Sequence, residues 1–189
     1  ISLVERIQIN GPDGAATFSV SSTNLLAYQS RSSQTGSHLM IFDLTGKEEG
    51  HVGDQAEYWD VRFAPDGKRL AYALNDRLSN NLDIWIYDLS RESRTRFTYN
   101  TAPDRLPVWS RDGTQLVYAS NRKGVFDLYW KRLGTGQEEL LLESSENKQP
   151  FDWSPNGKYV AYVTTTHLKT HSDIWVLPID GDRTPILFL

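Results

Sequence analysis

Three aspartates stand at the head of similar apolar phrases: Asp83 before Ile84-Trp85, Asp127 before Leu128-Tyr129 and Asp173 before Ile174-Trp175. A carboxylate suits a hard cation, but calcium asks for six to eight oxygens within about 2.6 Å of one point. One carboxylate per repeat spreads the charge along the chain instead of converging it. These aspartates are therefore expected to accept hydrogen bonds from nearby donors and brace a loop. His167 and His171 have the spacing of two zinc ligands on one helical face. No Glu follows the first of them, and Leu168-Lys169-Thr170 between them reads as a polar loop, where that spacing loses its meaning. They are expected to be solvated.

Nucleophiles are as scarce as metal clusters. The chain has no Cys, which removes disulfides, thiolate catalysis and thiolate metal sites together. It has no Gly-x-Ser-x-Gly elbow and no Gly-rich phosphate loop. Ser110-Arg111-Asp112-Gly113-Thr114 resembles the Asp-box of sialidase propellers, which has one more residue between Asp and Gly and is itself structural. With 24 acidic residues, some pair of carboxylates will lie close by chance, so proximity alone would not signal glycosidase chemistry. The expectation is a chain with no catalytic residues, no metal and no cofactor: not an enzyme.

The elements that position these residues repeat. Phe63-Ala64-Pro65-Asp66-Gly67, Trp109-Ser110-Arg111-Asp112-Gly113 and Trp153-Ser154-Pro155-Asn156-Gly157 each lead into a β-run closing on Ala71-Tyr72, Val117-Tyr118 or Ala161-Tyr162. A degenerate first copy runs from Phe18-Ser19 to Leu26-Ala27-Tyr28, without the Asp-Gly pair and with one residue more. The leading aromatics at 18, 63, 109 and 153 recur every 44 to 46 residues. That is one blade of a β-propeller, a four-stranded sheet. A second phrase, from His38, Asp83, Asp127 and Asp173, supplies the third strand of each unit, and a shorter run follows as the fourth. The Asp-Gly and Asn-Gly pairs fall between the first two strands, where a tight hairpin needs positive φ. No stretch keeps a 3.6-residue apolar period, so almost no helix is expected. The predicted fold is all-β: a β-propeller of four-stranded antiparallel blades over residues 12–55, 56–101, 102–146 and 147–189, with residues 1–10 an extra outer strand. It reads as one partial or half propeller.

These repeats resemble the WD40-like repeats of TolB-type propellers, whose consensus runs aromatic-Ser-Pro-Asp-Gly, a Leu-Ala-Tyr strand, a Ser-Asn-Arg-Gly loop and an Asp-Ile-Tyr strand. Ser120-Asn121-Arg122-Lys123-Gly124 followed by Asp127-Leu128-Tyr129 matches that pattern best. The phrases Tyr58-Trp59-Asp60 and Arg96-Phe97-Thr98 look most like the propellers found C-terminal to bacterial serine/threonine kinases. The resemblance implies a periplasmic or extracytoplasmic scaffold that binds a protein, peptide or small ligand. The alternative it offers is the regulatory or sensor propeller of a kinase or of a prolyl-oligopeptidase-type peptidase. TolB-type propellers usually have six or more blades, so four units imply a piece of a longer protein or half of a ring.

Partners follow from charge and from the loops. A net charge of −4 gives no footprint for a nucleic-acid backbone or an anionic membrane, and no apolar run reaches the roughly 20 residues of a membrane span. Loops leading into the inner strands ring the channel mouth of a propeller. There Tyr58, Trp59, Arg105 and Lys148 are the candidate binding residues, because aromatic and basic side chains presented together anchor recognition. The competing reading packs Tyr58 and Trp59 between blades. Five outer strands for four blades leave open faces, and a homodimer closing an eight-bladed ring would cover them.

Overall fold

The computed structural model describes residues 9–10, 15–30, 36–76, 81–165 and 172–188. After two short paired strands, β1 (Ile9–Asn10) and β2 (Ala15–Ala16), come four four-stranded antiparallel sheets. The first holds β3 (Phe18–Val20), β4 (Leu25–Gln29), β5 (Ser37–Asp43) and β6 (Glu48–Ala56). The second holds β7 (Tyr58–Phe63), β8 (Arg69–Asp76), β9 (Asn81–Asp88) and β10 (Ser93–Arg96). The third holds β11 (Asp104–Trp109), β12 (Gln115–Ser120), β13 (Asp127–Arg132) and β14 (Glu138–Leu142). The fourth holds β15 (Asn147–Trp153), β16 (Tyr159–Thr165), β17 (Asp173–Pro178) and β18 (Ile186–Leu187). Within every sheet the spatial order is the chain order. The described residues contain no helix, and the fold is all-β, built of propeller-type blades.

The hairpin between the first two strands shows why the repeated phrase is written as it is. Gly67, Gly113 and Gly157 all have φ between 66° and 74°, and each donates its N–H to the residue three before it, Ala64, Ser110 or Ser154. The preceding acid or amide ties down the turn: Asp112 Oδ1 accepts from Ser110 Oγ at 2.6 Å and from the Thr114 N–H at 3.0 Å. These bonds, the Ser110 hydroxyl first, hold the Asp112 carboxyl below its usual range. The Ser-x-Asp-Gly sequence is thus spent on a turn.

In the first sheet the register differs from the sequence reading. Val20, not Phe18, pairs with Leu26 where Phe63, Trp109 and Trp153 pair with Leu70, Leu116 and Val160. Asn24, at φ 67°, takes the glycine's place and donates to Ser21. The hairpin is one residue shorter than in the other blades, because Ser21 N–H reaches Leu25 O whereas Ala64 N–H reaches Arg69 O. Asn is among the few side chains that tolerate this conformation. At the N-terminus, residues 1–8 of the expected extra outer strand lie outside the described residues; Ile9–Asn10 pairs with Ala15–Ala16.

The chain divides into two compact units, Ile1–Tyr99 and Asn100–Leu189. In the first, Ala27, Leu39, Ile41 and Val52 of one sheet pack against Tyr58, Val61, Phe63, Leu70, Tyr72 and Leu74 of the next. In the second, Val108, Val117, Leu128 and Leu141 pack against Trp153, Val160, Tyr162 and Leu177. Each core forms between sheets because a lone sheet has a second apolar face with nowhere to hide it. No helix of the described residues is long and apolar enough to cross a membrane.

Candidate functional site

The register makes Tyr58, Asp104 and Lys148 equivalent: each stands five residues before its blade's leading aromatic, at or near the start of the innermost strand. A phenol, a carboxylate and an ammonium occupy one position, with 0%, 0% and 1% of their surface exposed. Burying such groups is costly unless they gain polar partners. These three blades supply partners of different kinds.

Tyr58 O–H lies 2.8 Å from the Val52 carbonyl and 2.5 Å from the Asp54 carbonyl of the preceding blade, with its ring edge-on to Tyr72 at 5.3 Å. Burial pushes its phenol up to about 12. Asp104 meets the Arg122 guanidinium at 3.3 Å. Arg122 also donates to Glu138 at 2.6 Å and to the Ser120 hydroxyl at 2.9 Å, and lies over the Tyr129 ring at 4.2 Å. One side chain thereby links all four strands of the third blade. Burial works against the Arg122 charge, but its hydrogen bond to Glu138 and the charge of Asp104 outweigh it and raise its pKa. Lys148 Nζ donates to Asp127 Oδ1 at 2.7 Å, Glu146 O at 2.8 Å and Ser144 O at 3.4 Å. Three partners use the three protons an ammonium has.

Tyr58 and Lys148 therefore differ from the expectation of side chains offered to a ligand. The physical reason is the same for both: they are buried, and their donors are already engaged between neighbouring blades. Trp59 and Arg105, one residue further along, are only half-buried. A bulge follows each of them, with the register shifting between Trp59 and Arg62 and between Arg105 and Val108. Asp60 and Leu106 adopt φ of 55° and 56° inside these bulges. Such bulges re-aim side chains at the end of a strand, and a Leu in this region is held there by its surroundings.

Two of the three aspartates of the third strands, Asp83 and Asp127, are buried and accept hydrogen bonds; Asp127 braces a loop through Ser144, while the partners of Asp83 lie on strands. Asp83 accepts from Arg96 at 2.6 Å and Asn81 at 3.3 Å; Asp127 accepts from Lys148 and from the Ser144 N–H at 3.2 Å. Asp173 is half-buried. Among the described residues no three His, Asp or Glu side chains are gathered as a metal group; His167 and His171 lie outside those residues. Sequence reasoning missed Arg122 and the Asp127–Lys148 pair. A signal for the first existed, since Arg122 is the basic residue of the Ser-Asn-Arg loop; nothing in the sequence links Asp127 to Lys148 across 21 positions.

Antiparallel four-stranded blades whose inner strands begin on buried polar locks define a β-propeller module. The comparisons with known proteins place it more narrowly. The TolB beta propeller domain model matches residues 13–187, and the chain belongs to that family. It is similar to the Tol-Pal system protein TolB of Francisella tularensis subsp. mediasiatica, with 26% identity over 137 residues, covering 70% of this chain and 31% of the relative. It is also similar to the uncharacterized peptidase YuxL of Bacillus subtilis, with 29% identity over 106 residues, covering 53% of this chain and 16% of the relative. Among solved structures, TolB from Acinetobacter baumannii superimposes with a TM-score of 0.77 at 20% identity, over 90% of this chain and 42% of that one. The chain thus spans less than half the length of each of these three proteins.

Proposed function

We propose that this chain is a non-catalytic TolB-like propeller module that binds a protein or peptide through the loops at the start of its inner strands. One observation carries the reading. Tyr58, Asp104 and Lys148 are locked inside, while the next residues, Trp59 and Arg105, stay half-exposed on bulged strand ends. An indole and a guanidinium, each held at the strand start of its own blade, are anchors of the kind that dominate protein interfaces. The TolB relatives support this class of function, and a periplasmic or extracytoplasmic location goes with it. Blades at about 12–55, 56–101, 102–146 and 147–189, paired in a homodimer as an eight-bladed ring, complete the proposal. A light-scattering mass of one chain would remove the dimer from it.

Selection of a displayed peptide library on the immobilised chain tests the binding claim. Enriched peptides should lose at least tenfold in affinity against a Trp59→Ala, Arg105→Ala variant. Absence of enrichment, or unchanged affinity for the variant, contradicts it.

The similarity to YuxL favours a second reading, the regulatory propeller of a larger enzyme, whether a peptidase or, by the resemblance of its phrases, a serine/threonine kinase. The full reading frame separates these. A hydrolase segment downstream supports the peptidase, and a kinase domain upstream supports a sensor.

A further inference from the structure

The first blade breaks the pattern of the others at one spot. In the second blade, Asp83 lies near the start of the third strand, Trp85 stands two residues on, and Arg96 pairs with Trp85 from the fourth strand. Asp83 and Arg96 join there at 2.6 Å, so this geometry brings the ends of the first and third side chains into contact. Counting back five residues from Asp43 and Asp88, which close the two strands, the first blade has His38 where the second has Asp83. Met40 then corresponds to Trp85, and His51, the cross-strand partner of Met40, to Arg96. An ion pair beside an aromatic has been replaced by two imidazoles beside a thioether.

The three share one face. His38 and Met40 are half-buried, alternating with buried Ser37, Leu39 and Ile41, and His51 is exposed directly opposite Met40. Directly opposed residues bring their Cβ atoms to about 5 Å. The His38 and His51 ring centres are 5.9 Å apart with their planes at 85°. Two imidazoles bound to one ion through bonds of about 2.0 Å hold their ring centres roughly 5–6.5 Å apart, so the pair already has the separation that a shared ion requires. Under them, Tyr28 stacks on Phe42 at 5.3 Å, and Tyr28 lies directly across from Met40, giving the face an apolar floor.

We infer that His38, Met40 and His51 form a binding site for a soft monovalent cation of the Cu(I) class. Imidazole nitrogens and a thioether sulfur are donors that suit Cu(I), whereas Zn(II) takes its ligands from thiolate, imidazole and carboxylate. The donor set carries no net charge, which suits a singly charged ion on a partly apolar face better than a divalent one.

Met40 is the single methionine of the chain, so its ε-methyl resonance is an unambiguous reporter. The experiment titrates the 189-residue chain, carrying His167→Ala and His171→Ala to leave only two imidazoles, with Ag(I) nitrate in chloride-free buffer as a redox-inert stand-in. One equivalent should move the Met40 methyl and both remaining His Cε1–H signals to an end point. Met40→Leu should weaken Ag(I) binding at least tenfold, and His51→Ala, at an exposed position, should weaken it further with the circular dichroism spectrum unchanged. Zn(II) should leave the methyl signal in place. An unmoved methyl after one equivalent of Ag(I), or an Ag(I) affinity in the Met40→Leu and His51→Ala variants equal to that of the parent chain, overturns the site.

Discussion

The two compact units solve one problem with different chemistry. At the start of the inner strand, the unit of residues 1–99 uses Tyr58, whose hydroxyl reaches backbone carbonyls of the previous blade. The unit of residues 100–189 uses Asp104 and Lys148, each answered by a buried or half-buried opposite charge. What the position requires is a polar group long enough to tie a strand end to its surroundings, and the identity of that group is free. The choice sets how each unit responds to mutation, because removing one member of a buried ion pair strands a charge, whereas removing a hydroxyl strands two carbonyls that have lone pairs to spare.

The largest effect should come from Lys148→Met. It leaves Asp127, fully buried, without its ammonium, and should cost about 3–5 kcal/mol in urea unfolding. The pair Asp127→Leu with Lys148→Met should restore much of that loss, since an apolar replacement of both partners is often close to neutral. A single-variant loss under about 1 kcal/mol would mean that the pair is solvated.

Arg122→Ala should cost about 2–4 kcal/mol, because it uncovers buried Asp104 and removes the tie across four strands. Arg96→Ala, its counterpart against Asp83 in the other unit, removes a side chain that is 29% exposed and should cost about 1–2 kcal/mol. Equal losses would erase the contrast between the units.

Alkaline pH should sharpen the comparison from the other side. Burial raises Tyr58 and Tyr162 to about 12, from an ordinary value of 10. Between pH 10 and 12 the unfolded chain has released these protons and the folded chain keeps them. The unfolded state then binds fewer protons, and stability falls as pH rises; below pH 10 the contribution is complete. For fully buried Tyr58, a rise from 10 to about 12 corresponds to about 3 kcal/mol. Tyr58→Phe should flatten the fall over this window, at a cost of about 1 kcal/mol at neutral pH for the lost hydrogen bond. An unchanged slope would show that Tyr58 ionises as an exposed phenol does.

The smallest effects belong to the first hairpin. Asn24→Gly should change stability by less than about 0.5 kcal/mol, and Asn24→Ala should cost about 1 kcal/mol because alanine resists positive φ. Gly67→Ala should cost more, since a Cβ there would collide with the Thr23 side chain, where the first two hairpins meet. A harmless Gly67→Ala would show that the two turns can move apart.

The blades were legible in the sequence because period, hairpin glycines and alternating strands all report local geometry. The first hairpin was misread by two positions for a physical reason: Phe18 has the expected residue type, but pairing register puts Val20 opposite Leu26. An aromatic on an edge strand is not bound to the core-facing position. The candidate binding residues fall into two pairs. Trp59 and Arg105 stay partly exposed at the strand starts where the sequence located them, while Tyr58 and Lys148, chosen on the same grounds, are consumed by contacts with residues that local patterns do not connect. A lysine reads as solvated until a carboxylate 21 residues away is known to face it.

The central claim is that buried locks hold the strand starts while their half-exposed neighbours meet the partner. Nitrogen-15 chemical-shift mapping with a selected peptide tests it most directly. The Trp59 indole N–H and the Arg105 backbone N–H should each shift with added peptide, while resonances of the outer strands β6, β10 and β14 stay in place. Shifts confined to those outer strands, with Trp59 and Arg105 unmoved, would contradict the account.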